Sequence, residues 1–199
     1  MILPSSFAGP TTETVGYFNT PAAVLADWLG TALGPQWTVG SARSGTLADF
    51  VGLIEPTAPQ SRYLLLAAGD WTLLLDNGPT GTDLGVLPWH ATRDLGCRTI
   101  RATAVARMPY PATILEVFAP EAGDERLYNL RTLVAANDGG RWTFTAAGDP
   151  LPFEDLSAYR RRLVRDRFTP DMLAGYLTAL GAPADRLPDP VDAIMVELR

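Results

Sequence analysis

Two leucine runs on either side of one tight turn constrain this chain more than any other feature. Tyr63-Leu64-Leu65-Leu66 and Leu73-Leu74-Leu75 flank Gly69-Asp70. A Gly at the first central position allows the positive φ that a two-residue hairpin turn needs. The spacing therefore predicts an antiparallel hairpin of Arg62–Ala68 with Trp71–Asp76. Neither arm alternates apolar with polar residues. Both faces of both arms must then be covered, and the pair belongs in the middle of a sheet.

Downstream segments extend the same pattern. Arg98–Val105 sets Ile100, Ala102 and Ala104 on one face and Arg101 and Thr103 on the other. Thr113–Phe118 and Leu127–Ala136 read as further strands. Asn137-Asp138-Gly139-Gly140 is a hairpin turn, and Arg141–Ala146 then turns Trp142, Phe144 and Ala146 inward. Short extended pieces are expected at Gln36–Val39 and Asp49–Ile54. Residues 1–15, rich in Pro, Ser, Thr and Gly, read as an irregular lead-in, and 77–82 as a loop.

Helices bracket these strands. Thr20-Pro21 starts one with Val24, Leu25, Trp28, Leu29, Ala32 and Leu33 on one stripe, and Gly34-Pro35 stops it. Trp89–Leu95 is a short helical turn closed by Gly96. Glu154-Asp155 starts a helix carrying Leu156, Tyr159 and Leu163. Thr169-Pro170 starts another with Leu173, Tyr176, Leu177 and Leu180, ended by Gly181. The tail from Pro183 contains prolines and leads to Ala193–Leu198, an edge strand or a short docked segment. At 199 residues the chain fits one domain. The expected fold is α+β: a mainly antiparallel sheet built from hairpins, with an N-terminal helix and two C-terminal helices packed on it.

Residue counts exclude several chemistries. Every one of the 16 basic residues is Arg, so no Schiff base or P-loop lysine is available. One Cys, Cys97, rules out an internal disulfide and Cys-rich metal sites, and one His, His90, rules out a two-histidine metal site. No cofactor and no metal site is expected. A net charge of −6 makes nucleic acid a poor partner and a basic protein an easier one. The N-terminus does not read as a signal peptide, and no apolar run is long enough to span a bilayer. A cytoplasmic protein without a membrane partner is expected.

Candidate reactive residues are few. If the chain is an enzyme, His90 is its acid–base group, with Asp83 and Arg93 as polar partners around a pocket. A hydrogen-bonded structural imidazole beside Trp89 is the plainer reading. Gly78–Gly85 is glycine-rich but fails the dinucleotide spacing, and Pro79 removes a needed N–H. Cys97 and Ser44 lack a nucleophile elbow. The run Tyr159–Arg167 looks basic, yet five Arg face four acids over residues 154–171, which reads as a solvated helix face. Trp71 and Trp142 fall at inward positions, whereas Trp89 is the tryptophan expected to be exposed.

The segment Asp138-Gly139-Gly140-Arg141-Trp142-Thr143-Phe144, followed by Gly148 and by Phe153-Glu154, resembles a pattern in small actinobacterial proteins grouped with immunity proteins of polymorphic toxin systems. The resemblance covers residues 62–181. It implies an inhibitor that neutralises a toxin enzyme, and it transfers no functional residue. The function expected from residues and resemblance together is protein binding. Trp89 and the acids Glu121, Asp124, Glu125, Asp149, Glu154 and Asp155 would face a basic partner. Assembly through an edge strand or the Ala193–Leu198 tail is a third reading, and the oligomeric state is left open.

Overall fold

The computed structural model describes residues 14–54, 60–78, 84–105, 110–122, 128–137, 139–184 and 186–199. In chain order these hold β1 (Thr14–Phe18), α1 (Ala22–Ala32), β2 (Trp37–Val39), β3 (Arg43–Gly45), α2 (Leu47–Val51), β4 (Arg62–Ala68) and β5 (Trp71–Asp76). There follow α3 (Leu87–Leu95), β6 (Thr99–Val105), β7 (Ala112–Phe118), β8 (Asn129–Asn137), β9 (Trp142–Ala147), α4 (Pro170–Ala179) and β10 (Val191–Leu198). All ten strands join one sheet in the order β2-β10-β4-β5-β1-β6-β7-β8-β9, with β3 beside β2 on the same edge of β10. Each pairing is antiparallel. The expected α+β class holds.

The hairpin of β4 and β5 is where the leucine runs place it. Leu64, Leu65, Leu66, Leu73, Leu74 and Leu75 are each no more than 1% exposed. Alternation sends Leu64, Leu66, Leu73 and Leu75 to one face, where Phe50 of α2 and Leu173, Tyr176 and Leu177 of α4 cover them. Leu65 and Leu74 point to the other face, under Leu25 and Leu29 of α1 and Ala91 of α3. Burying each such leucine stabilises the fold by about 1.5–3 kcal/mol. The helices therefore sit in two layers with the sheet between them.

Five local expectations are corrected. Residues 14 and 15 belong to β1, not to the lead-in, and β1 lies in the middle of the sheet between β5 and β6. Residues 1–13 and 79–83 fall outside the described residues. Asp49–Ile54 is not extended: Thr46 and Asp49 form a reciprocal cap on α2, and Gly52–Ile54 continues as a 3-10 turn. That cap satisfies two N–H groups at a helix start, so the local sequence favours helix over strand. Thr20 does not cap α1. Pro21 occupies the cap position, and the Thr20 carbonyl accepts from Thr72 Oγ1 at 2.7 Å. The Ala193–Leu198 tail is neither an edge strand nor a docked segment, because β10 is paired on both sides.

The fifth correction concerns the helix expected after Glu154-Asp155. Only 3-10 turns form there, at Ala158–Arg160 and Val164–Asp166. Leu156 and Leu163 are 47% and 52% exposed, so the predicted stripe does not exist. The two acids are committed elsewhere. Glu154 is bound by Arg131 of β8, and Asp155 accepts from Ser157 N at 3.0 Å and Ala158 N at 3.2 Å. A carboxylate that bonds its own backbone competes with helix. The arginines tie down the same segment: Arg161 donates to the Asp166 carbonyl and Arg167 to the Arg161 carbonyl, each at 2.9 Å. Arg160, Arg161, Arg162 and Arg165 are solvated as their charge suggests, but they stand on turns rather than on a helix face.

Candidate functional site

At one end of the sheet a cleft of roughly 600 Å³ opens between the two helical layers. Its walls come from the residues that follow or precede strands. Asn19, Thr20 and Pro21 follow β1, and Trp71 starts β5. Leu95, Gly96, Cys97 and Arg98 join α3 to β6, Pro120 and Glu121 follow β7, and Leu180 caps α4. Gly96 makes this possible. Its φ of +63° ends α3 in the left-handed conformation and turns the chain straight into β6. The Thr99 hydroxyl donates to the Pro88 carbonyl at 2.8 Å and so accepts from Thr92 Oγ1, also at 2.8 Å, which locks α3 onto the sheet.

Backbone and side-chain bonds fix the cleft floor. Asn19 N donates to the Arg98 carbonyl at 2.9 Å, and Asn19 Nδ2 donates to the Asp70 carbonyl at 3.1 Å. Arg98 forms an ion pair with Glu121. The guanidinium hydrogen bond holds the Glu121 carboxyl below the usual carboxylate range, so it is ionised at neutral pH. Arg98 Nε is shielded from solvent and has no hydrogen-bond partner among the described residues. Burial pushes the Cys97 thiol up to about 11, which keeps it protonated at neutral pH and a weak nucleophile. The C-terminal ends of α3 and α4 supply Leu95, Gly96 and Leu180 to the lining, and a helix C-terminus carries partial negative charge.

Of the residues proposed around a catalytic imidazole, His90 and Arg93 lie on α3, outside the cleft lining. Asp83 falls outside the described residues. His90 packs edge-on against Trp89 with ring centroids 4.5 Å apart, and neither lines the cleft. Arg93 lies over the Trp89 ring at 5.0 Å and bonds Asp94 at 2.6 Å. Trp28 Nε1 reaches across from α1 to the same Asp94 carboxylate at 3.1 Å. Arg93 chiefly, through its hydrogen bond, holds that carboxyl low. His90 and Arg93 are thus brought together, but the arginine is engaged by Asp94 and Trp89. The cluster ties α1 to α3.

The acids expected to meet a partner divide into three groups. Glu121, Asp149 and Asp155 are exposed, and Glu121 stands in the cleft wall. Asp124 and Glu125 lie outside the described residues. Glu154 is corrected: its side chain is fully shielded, bound by Arg131 at 2.6 Å and by Tyr159 OH at 2.8 Å, and holds the fold together. Trp89 is also corrected, being half-buried beneath Arg93 rather than an exposed anchor. Nothing in the sequence marks Asn19, Thr20, Cys97 and Arg98 as members of one site. They come from separate turns, and no local spacing links them.

Among the described residues no group of three His, Cys, Asp or Glu side chains converges to hold a metal ion. No described helix is long and apolar enough to cross a membrane. A scan against protein-family models found no match, and searches of curated proteins and of solved structures found none either.

Proposed function

We propose that this chain works by recognition, taking a basic segment of a protein partner into the cleft between α3, α4 and the sheet. The observation that carries the reading is the make-up of the cleft wall. It offers a carboxylate ion-paired to a guanidinium, an amide and an indole ring, and its one thiol is protonated at neutral pH. Such groups orient and hold a ligand, and the carboxylate in this wall is engaged by Arg98 rather than free to act as a base. Negative helix ends, the Glu121 carboxylate and the net charge of −6 favour a cationic side chain over an anionic one. An inhibitor that covers a basic patch on a toxin enzyme is the form of this reading that the sequence resemblance suggests.

Capture from the native host with the purified chain as bait tests it. Glu121→Arg should weaken recovery of a stoichiometric basic partner by tenfold or more. Asp171→Arg makes the same change in net charge at the far end of α4, about 15 Å away along the helix, and should leave recovery within about twofold. No stoichiometric partner, or equal losses from the two variants, contradicts the proposal.

A further inference from the structure

The two edges of the sheet are built differently. One edge is broken into β2 and β3, three residues each, separated by Gly40-Ser41-Ala42 and carrying Arg43. Short, interrupted and charged edges resist pairing with another chain. The opposite edge is β9, Trp-Thr-Phe-Thr-Ala-Ala, six residues without a charge, a proline or a register shift. Among the described residues it pairs with β8 alone. Thr143, Thr145, Ala146 and Ala147 are exposed along it. An open strand of this kind presents a row of backbone N–H and C=O groups that can template a further strand.

We propose that β9 pairs antiparallel with β9 of a second copy of this chain, joining two sheets edge to edge about a two-fold axis. Such an axis stands perpendicular to the sheet, so residues that face each other across it must share a face. The register that sets Phe144 against the partner's Phe144 satisfies this. It places Trp142 beside the partner's Ala146, large against small, and Thr143 beside the partner's Thr145. Aromatic and Thr–Thr pairs of this kind favour antiparallel strands. In this register Arg141, just before the strand, falls opposite the partner's Ala147, so no like charges meet along the paired strands. A second copy fits here better than a basic partner, because β9 itself carries no charge to attract one. The pairing leaves the cleft untouched, so it stands or falls independently of the recognition proposed there.

Sedimentation of the full chain over a wide concentration range, with paired charge variants, tests this. The wild-type chain should reach dimer mass reversibly as concentration rises. Thr143→Lys with Thr145→Lys sets like charges opposite each other and should weaken the dimer by about tenfold or more. Thr143→Asp with Thr145→Asp should do the same, and mixing the two variants should restore a dimer. Both positions are exposed, so circular dichroism of each variant should match wild type. Hydrogen exchange of the wild-type chain gives a second readout, with β9 amides slowing as concentration rises. A wild-type chain that stays monomeric, a dimer that survives in either variant, or a mixture that does not reassociate overturns the proposal.

Discussion

Arg131 sits on β8 with 2% of its surface exposed, where an unpaired guanidinium would lose several kcal/mol of hydration. The surrounding chain replaces that water donor by donor. Nε and Nη2 grip the Glu154 carboxylate at 2.8 and 2.6 Å, and Nη1 donates to the Gly148 and Ala147 carbonyls at 2.6 and 3.2 Å. Glu154 is completed by Leu151 N at 2.9 Å and Tyr159 OH at 2.8 Å, and Tyr159 contacts the Tyr176 hydroxyl at 3.2 Å. One arginine therefore fastens β8, the turn after β9, the segment that follows it and α4. Removing it strands a buried carboxylate. Arg131→Met should lower stability by about 3–5 kcal/mol in urea unfolding, and Arg131→Met with Glu154→Leu should recover part of that loss. A single variant within 1 kcal/mol of wild type, or a double variant worse than the single, would show that the pair is not what anchors this segment.

The segment between β9 and α4 differs most from what its residues lead one to expect. It is a string of turns held by polar contacts, and its burial comes from Ala158 and Phe168 rather than from a leucine stripe. Leu163→Ala should therefore change stability by less than about 0.5 kcal/mol, while Phe168→Ala should cost about 3–5 kcal/mol. Chemical denaturation of the two variants checks this, and equal losses would restore the helical reading. Elements whose signals are local were legible from sequence: the β4–β5 hairpin at Gly69, the turn at Gly139-Gly140, and α4, where Thr169 accepts from Met172 N. Elements whose burial or bonding depends on distant chain were not. β1 is buried on both faces and shows no alternation over its five residues. β10 looks like a loose tail until β4 and β2 are placed on either side of it. Glu154 reads as a surface acid because its partner Arg131 is 23 residues away.

At the scale of the whole molecule, β1 joins two units. On one side stand β10, β4 and β5 under helices on both faces; on the other, the meander β6-β7-β8-β9. The cleft lies where they meet, because β1 ends there beside the starts of β5 and β6. That origin explains why only Glu121 of its polar lining was legible as a candidate. Asn19, Arg98 and Glu121 are brought together by strand order, which no spacing in the sequence encodes, while the exclusion of lysine, paired-histidine and cysteine-rich chemistries followed from counting residues. The central claim is that this junction is the working surface. Its most direct test is hydrogen exchange of the chain alone and in complex with the partner it captures. Slowed exchange concentrated at 19–21, 96–98 and 120–122 is the predicted result. Protection confined to the outer face of α1, to α2 or to the β2–β3 edge, with those three turns unchanged, would contradict it.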